Sequence, residues 1–280
     1  MPVRPLKVAI VGGGPGGLAT SIALSKVPNV DVVIYEKAKI LREVGAGIRR
    51  FTSVRIQRTK LQSTLLSHVK PGVLQLSKRL ERIEDLGQHG VQLFFADGTT
   101  DIADLVIGAD GIRSQYLPEI QTALKEIETG AWREFAAFSG PELSDLTAWG
   151  KIALVGDSSH ALSGAFGSGA GFAMEDGWIL AQALSYFRND LVKALRLFNE
   201  IRLPYYRRMY AHLESEAKLR AARLEALELP SEEDRVRVKV IRGGKDMAWI
   251  YSNDIGNVWK ETIEQSGSVQ ENGSHSLELH

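Results

Sequence analysis

Apolar residues first gather in short unbroken runs and later spread into helical spacing. Val8 to Val11 are all apolar and are followed at once by Gly12-Gly13-Gly14-Pro15-Gly16-Gly17, then by LATSIALSK and, after a short turn, the run DVVIYEK. A buried strand, a glycine turn, a helix and a second strand are predicted in that order, which is a βαβ opening. In RTKLQSTLLSHV, Leu61, Leu65 and Val69 fall four residues apart and predict an amphipathic helix. Beyond Pro71-Gly72 the pattern turns β-rich: VLQLSKRLERIEDL, then VQLFFADGTT with an Asp97-Gly98 hairpin signal, then the apolar strand ADLVIGADG. A further apolar strand, KIALVG, leads through a glycine-dense loop into the helix FAMEDGWILAQALSYF. From Val192 to about Leu229 the spacing stays helical, with Pro204 expected to break or kink it and Pro230 to stop it. From about Gln265 the chain is polar and aperiodic, the pattern of a disordered tail. No internal repeat is present. Strands alternating with helices predict an α/β protein.

Composition narrows this picture. The chain has 280 residues, enough for one large domain or two modest ones, and its 34 basic and 34 acidic residues cancel. No global field recruits nucleic acid or anionic lipid, so a nucleic-acid partner is not expected. There is no cysteine, which removes disulfides and thiolate chemistry, and the six histidines lack ligand spacing, so no metal site is expected. No run is long enough for a signal h-region or a membrane span, and a cytoplasmic protein is expected.

The chemistry begins at the glycines. Gly12, Gly14 and Gly17 satisfy GxGxxG directly after a strand and at the opening of a helix. In that context Gly12 permits the tight turn, Gly14 admits a pyrophosphate close to the backbone, and Gly17 lets helix and strand pack. The helix N-terminus then offers N–H groups and its positive dipole end to phosphate. A structural glycine turn is the bland alternative, and Glu36 weighs against it. It ends the second strand at the place where a carboxylate accepts ribose hydroxyls and repels a 2′-phosphate. An adenine dinucleotide is therefore expected, and the fingerprint alone does not choose FAD over NAD.

Further motifs make that choice. DLVIGADGIRS (104–114) resembles the DG motif, and KIALVGDSSHALSGAFGSGAGFAMEDG (151–177) the GD motif, of the FAD-dependent aromatic hydroxylases of the salicylate and para-hydroxybenzoate hydroxylase type. RTKL resembles the Arg-x-x-Leu opening that family's second flavin-domain helix, LREVGAGI resembles its loop after the ribose-binding strand, and FNEIRLPYYRR and MAWIYSNDIGNVW resemble the C-terminal part of fungal members. The likeness runs from about Lys7 to about Trp259. It implies a Rossmann-like FAD-binding domain with a β-meander, FAD as cofactor, NAD(P)H as co-substrate, and O₂-dependent hydroxylation of an aromatic, phenolic or related polyketide- or terpenoid-like small molecule.

It also implies residue roles. Asp110, Gly111 and Arg113 would support the pyrophosphate and the passage of NAD(P)H, with a plain surface cation the alternative for Arg113. Arg58 would contact the flavin, and Gly47 would contribute a backbone contact. Asp157, following a buried strand and facing a glycine loop, can accept from ribityl hydroxyls, the alternative being a turn aspartate. Gly169 and Ala170, in the run opening the next helix, let backbone N–H groups approach the ring, and the helix dipole there stabilises negative charge on reduced flavin. His160 is read as a local hydrogen-bonding residue and not as a catalyst, and no catalytic residue is assigned. Where the family usually has a proline in the GD loop, this chain has Gly164.

The larger departures are two gaps. Only residues 49–57 separate GAGI from RTKL, and only 115–149 separate the DG and GD segments, where full-length relatives carry most of their substrate domain. The expected organisation is a discontinuous FAD-binding domain (1–48, 58–114 and 150–187), remnants of a strongly reduced substrate domain (49–57 and 115–149), a C-terminal helical region (188–264) and a tail (265–280). Such abrupt junctions between intact motifs are what lost or misjoined exons leave. Two readings stand: an FAD-dependent monooxygenase, or a truncated flavin-binding protein without hydroxylase activity, oxidising NAD(P)H or serving as a structural remnant. A plain NAD-dependent dehydrogenase is disfavoured, because no Tyr-x-x-x-Lys constellation is present and the GD motif has no purpose there.

Overall fold

The structure is a computed structural model and describes residues 4–41, 48–49, 55–56, 58–111, 140–162, 169–226 and 248–274. The predicted opening forms as read: β1 (Leu6–Val11), α1 (Pro15–Leu24) and β2 (Val30–Tyr35). Pro15 suits the first turn of α1, where its missing N–H costs nothing. Two short strands, β3 (Ile48–Arg49) and β4 (Arg55–Ile56), pair antiparallel, and α2 (Arg58–Ser67) follows. Then come β5 (Leu74–Gln75), the strands β6 (Leu80–Asp85), β7 (Val91–Phe95) and β8 (Thr100–Ala103), and β9 (Leu105–Gly108). The expected Asp97-Gly98 hairpin joins β7 to β8, with Asp97 accepting from the Thr99 backbone N–H at 3.1 Å. β10 (Thr147–Ala148) and β11 (Ile152–Leu154) precede three helices and one short turn of helix: α3 (Gly169–Tyr186), α4 (Leu191–Ala226), α5 (Ala248–Tyr251) and α6 (Ile255–Ser274).

The main sheet runs β10-β11-β9-β1-β2-β5, and the antiparallel meander β6-β7-β8 forms a second sheet that packs on it through Tyr35 and Phe95. β1, β2, β5, β9 and β11 are parallel, and only the edge strand β10 is antiparallel. Parallel strands are covered on both faces and so read as continuous apolar runs. Val8, Ala9, Ile10, Val106, Ile107 and Ala153 are accordingly all fully buried. β10 falls inside 115–149, yet it hydrogen-bonds to the edge of this sheet, with Leu143 and Leu146 buried beside it.

Two sequence expectations need correction. Of the break or kink expected at Pro204, the break is overturned: α4 continues through it from Leu191 to Ala226. Buried Phe198 and Ile201 before it, and Tyr206 and Met209 after it, hold both halves against one core, and that packing outweighs the lost hydrogen bond. Nor does helical backbone stop near Gln265, since α6 extends to Ser274. Val258, Trp259 and Ile263 pack on the core and nucleate that helix, and propagation beyond a formed nucleus costs little.

α1 and α3 pack closely through Gly177. A Cβ there would lie 2.2 Å from Thr20 Oγ1 and 2.8 Å from Thr20 Cα. On an exposed helix, Gly→Ala gains up to about 1 kcal/mol. Here the backbone of α1 stands in the way, so Gly177→Ala is expected to destabilise by about 1–3 kcal/mol in a urea titration, the cost of overpacking.

Candidate functional site

Strand register brings the candidate residues to one edge. Val11 is level with Tyr35 on one side and Gly108 on the other, and Gly108 is level with Leu154. The chain therefore leaves β1, β2, β9 and β11 at the same height, with Gly12, Glu36, Asp110 and Asp157 just beyond their carboxyl ends. That edge is where open parallel sheets bind ligands. β2 and β11 are three strand spacings apart, about 14 Å, so Glu36 and Asp157 mark two ends of an elongated site.

At the centre, Gly12 has φ +117°, and a Cβ on it would stand 2.3 Å from the carbonyl oxygen of Ala109. Only glycine fits the crossing between the β1 and β9 loops. Gly17 lies equally close to Gly12, whose carbonyl oxygen is 2.0 Å from the Cβ position. By contrast, nothing lies within 4 Å of a Cβ position at Gly14 or Gly111. Gly14 caps α1 with no side-chain hydrogen bond, and the helix's own first turn carries no acidic residue. Glu36 is half-buried: one oxygen accepts from the Gly13 N–H at 2.7 Å and the other from the Ala38 N–H at 2.8 Å. Each oxygen keeps a lone pair for a ligand hydroxyl. Gln62 on α2 donates to the Gly13 carbonyl at 3.1 Å, which ties the helix opened by Arg58 to the glycine turn.

At the other end, the turn after β11 is buried at Gly156, Ser158, Ser159 and His160, whereas Asp157 is exposed. Its Oδ1 lies 3.4 Å from the Cβ position of Gly169, the first residue of α3, and Ala170 follows in the same turn. A Cβ on Gly16 in α1 would in turn lie 3.0 Å from the Cβ of Ala173, so the first turns of α1 and α3 adjoin. Ten of the twelve residues proposed from sequence are thus among the described residues; Gly47 and Arg113 lie outside them.

Sequence reasoning did not single out what stands behind Asp157. Asp176, in the second turn of α3, is fully buried. Its Oδ2 accepts from the Gly156 N–H at 2.8 Å and from His160 Nε2 at 2.9 Å, and its Oδ1 from Arg202 Nε at 2.7 Å and the Tyr206 hydroxyl at 2.6 Å. Arg202, also buried, donates to Glu175 at 3.1 Å and to the Tyr206 oxygen at 2.7 Å, and His160 stacks on the Tyr206 ring at 3.6 Å between centroids. Burial pushes the Asp176 carboxyl up, but Arg202, His160 and the Gly156 N–H outweigh it and hold it well below the usual carboxylate range. A signal existed: Asp176 sits four residues from Phe172 and four from Leu180 on the buried stripe of α3, and Arg202 sits likewise between Phe198 and Tyr206. Nearby on α4, the Tyr210 hydroxyl is buried without a hydrogen-bond partner among the described residues. Burial first, and then the charges of Glu142 and Asp157, push it up to about 12.

Parallel-strand topology and the open glycine turn define a Rossmann-like dinucleotide-binding protein, and the profile of the NAD(P)-binding Rossmann-like domain matches residues 10–48. The chain is 24% identical to 3-amino-4-hydroxybenzoate 2-monooxygenase PtmB3 of Streptomyces platensis over 344 residues, taking in 74% of this chain and 86% of that protein. It is 29% identical to a salicylate hydroxylase of Pseudomonas putida over 159 residues, 39% of this chain and 36% of that protein. With 6-methylsalicylate 1-monooxygenase atA of Aspergillus terreus the identity is 30% over 189 residues, 45% of this chain and 42% of that protein. The chain thus spans well under half the length of these last two relatives. Among solved structures, a salicylate hydroxylase substrate complex superposes with a TM-score of 0.64 at 17% identity, over 91% of this chain and 97% of that one. CtdE in complex with FAD and substrate gives 0.67 at 13% identity, over 95% and 100%; at these identities the two structures speak for the fold. Within the Rossmann-like class, this chain is similar to FAD-dependent aromatic hydroxylases. The first alignment is longer than the 280-residue chain, so PtmB3 carries internal positions with no counterpart here.

The buried network makes two predictions. Arg202→Met strands the Asp176 carboxylate in the core and is expected to cost about 3–5 kcal/mol of unfolding free energy in urea. Asp176 takes up its proton near pH 3.9 when unfolded and only well below that when folded, so its contribution is present above about pH 4 and lost on acidification. Urea titrations at about pH 5 and pH 3 should show a fall that is shallower in Asp176→Asn.

Proposed function

We propose that this chain is an FAD-dependent monooxygenase that uses NAD(P)H and O₂ to hydroxylate a small aromatic or phenolic molecule, with polyketide- and terpenoid-like metabolites inside the substrate class, in the cytoplasm. One observation carries the reading: a helix N-terminus without a side-chain cap, over an open glycine, lies between the Glu36 and Asp157 carboxylates along the strand ends. That arrangement suits a dinucleotide with a pyrophosphate in the middle and polyhydroxylated arms on either side. Relatives named for the hydroxylation of salicylate and 6-methylsalicylate give the reaction class.

In this reading Gly12, Gly14 and Gly17 shape the pyrophosphate turn, and Glu36 accepts the ribose hydroxyls. Asp110, Gly111 and Arg113 flank the pyrophosphate and the NAD(P)H path. Arg58 contacts the flavin, Gly47 contributes a backbone contact to the cofactor, and Asp157 accepts ribityl hydroxyls. The N–H groups at Gly169 and Ala170, with the dipole of α3, stabilise negative charge by about 0.3–2 kcal/mol. When bound, FAD supplies hydride acceptance and oxygen activation, while the protein provides binding, orientation and exclusion of water. A second reading, a flavin-binding protein that consumes NAD(P)H without hydroxylating, is favoured by one fact: internal positions of PtmB3 are missing here, and oxygenation needs an enclosed site.

Purified chain loaded with FAD should be yellow and should bleach with NADH or NADPH without air. Readmitted oxygen with a phenol panel should give a hydroxylated product by mass spectrometry; peroxide alone with every phenol would support the second reading instead. Asp157→Asn should weaken FAD binding by about 10- to 100-fold, the worth of a charge-assisted hydrogen bond. Unchanged affinity would remove Asp157 from the site.

A further inference from the structure

We propose that Asp176 is a positioning residue of the flavin site, its buried carboxylate clamping the turn that aims Asp157 outward beside the first turn of α3. The proposal rests on the flavin reading above and names how that site is held. Division of labour between the two carboxylate oxygens is the central observation. Oδ2 grips the turn on both sides of Asp157, through the Gly156 N–H before it and the His160 ring after it. Oδ1 is given wholly to α4, through Arg202 and Tyr206. One side chain thus joins three pieces of backbone: the turn after β11, α3 and α4.

The rest of the turn leaves Asp157 no other direction. Ser158 is fully buried, and its hydroxyl lies 2.6 Å from both the Gly108 and Val155 carbonyl oxygens. The Ser159 hydroxyl donates back to the Gly156 carbonyl at 3.0 Å. A Cβ on Gly156 would fall 2.7 Å from the Cβ of Ala173, so the turn is pressed against α3 as well as hydrogen-bonded to it. Asp176 lies seven residues, about 10 Å, along α3 from Gly169, and the same clamp therefore sets where the N–H groups of that first turn stand relative to Asp157. An apolar residue would fill the space at lower desolvation cost. What it could not do is hold an N–H, an imidazole, a guanidinium and a phenol at fixed angles.

The test is a double-mutant cycle on the full chain, reading FAD affinity by fluorescence and amide exchange at residues 156–160 without flavin. His160→Leu removes one of the two contacts on Oδ2, and His160→Gln restores an N–H donor. His160→Leu is expected to weaken FAD about tenfold when Asp157 is present, by less than about twofold in the Asp157→Asn chain, and to speed exchange of the turn, with His160→Gln recovering both. A residue with only a structural role would cost the same factor in both backgrounds, and that equality overturns the proposal, as does unchanged exchange. Tyr206→Phe keeps the ring stack while removing a contact on Oδ1, and carries the same cycle if His160→Leu does not fold. If the parent chain binds no FAD while exchange responds as expected, the flavin reading fails and the hold on the turn stands; if exchange does not respond, the clamp fails.

Discussion

A carboxylate and a guanidinium buried side by side form the interaction on which the candidate site depends. Desolvating each ion costs several kcal/mol even after relaxation, and their mutual attraction offsets this only when geometry is good and every remaining donor and acceptor is used. Asp176 meets that condition with four hydrogen bonds, and Arg202 reaches Glu175 and Tyr206 in addition to Asp176. The interaction is therefore directional where the surrounding packing of Phe172, Leu180 and Phe198 is not. It fixes α4 to α3, and both to the turn that carries Asp157.

The sheet supplies the other half of the arrangement. Four parallel strands end level, so residues far apart in sequence, from Gly12 to Asp157, share one edge without any of them needing to recognise another. Between GAGI and RTKL, β3 and β4 pair antiparallel, and within 115–149, β10 adds an edge strand to the main sheet. The dinucleotide side thus keeps a continuous core from β1 to α4 although internal positions of a relative are absent. A cofactor site depends on that core, whereas oxygenation depends on an enclosed site. Binding and hydroxylation are accordingly separate questions for this chain.

Much of this was legible along the chain. The βαβ opening showed because apolar runs and a glycine turn carry their own conformational preference, and Glu36 showed because its distance from the fingerprint is set by one helix and one strand. Asp157 was legible from its place after an apolar run. Asp176 was not, because it was read within its helix, and the meaning of a charge on an apolar stripe depends on the helix that packs opposite. A break at Pro204 was ruled out for the same reason: local propensity favours it, and contacts on both flanks of the proline override that preference. Helical backbone beyond Gln265 follows from a nucleus at Val258, Trp259 and Ile263 that anchors to α3 and α4.

Sequence by itself determined the α/β class, the dinucleotide fingerprint and the likeness to aromatic hydroxylases, since each rests on local pattern or on spacing within one supersecondary unit. Only tertiary structure decided that Asp176, Arg202, His160 and Tyr206 form one cluster, that β10 completes the main sheet, and that Asp157 faces outward from a buried turn. Those facts arise where segments far apart in sequence meet, and a buried charge acquires its role only from the groups that surround it.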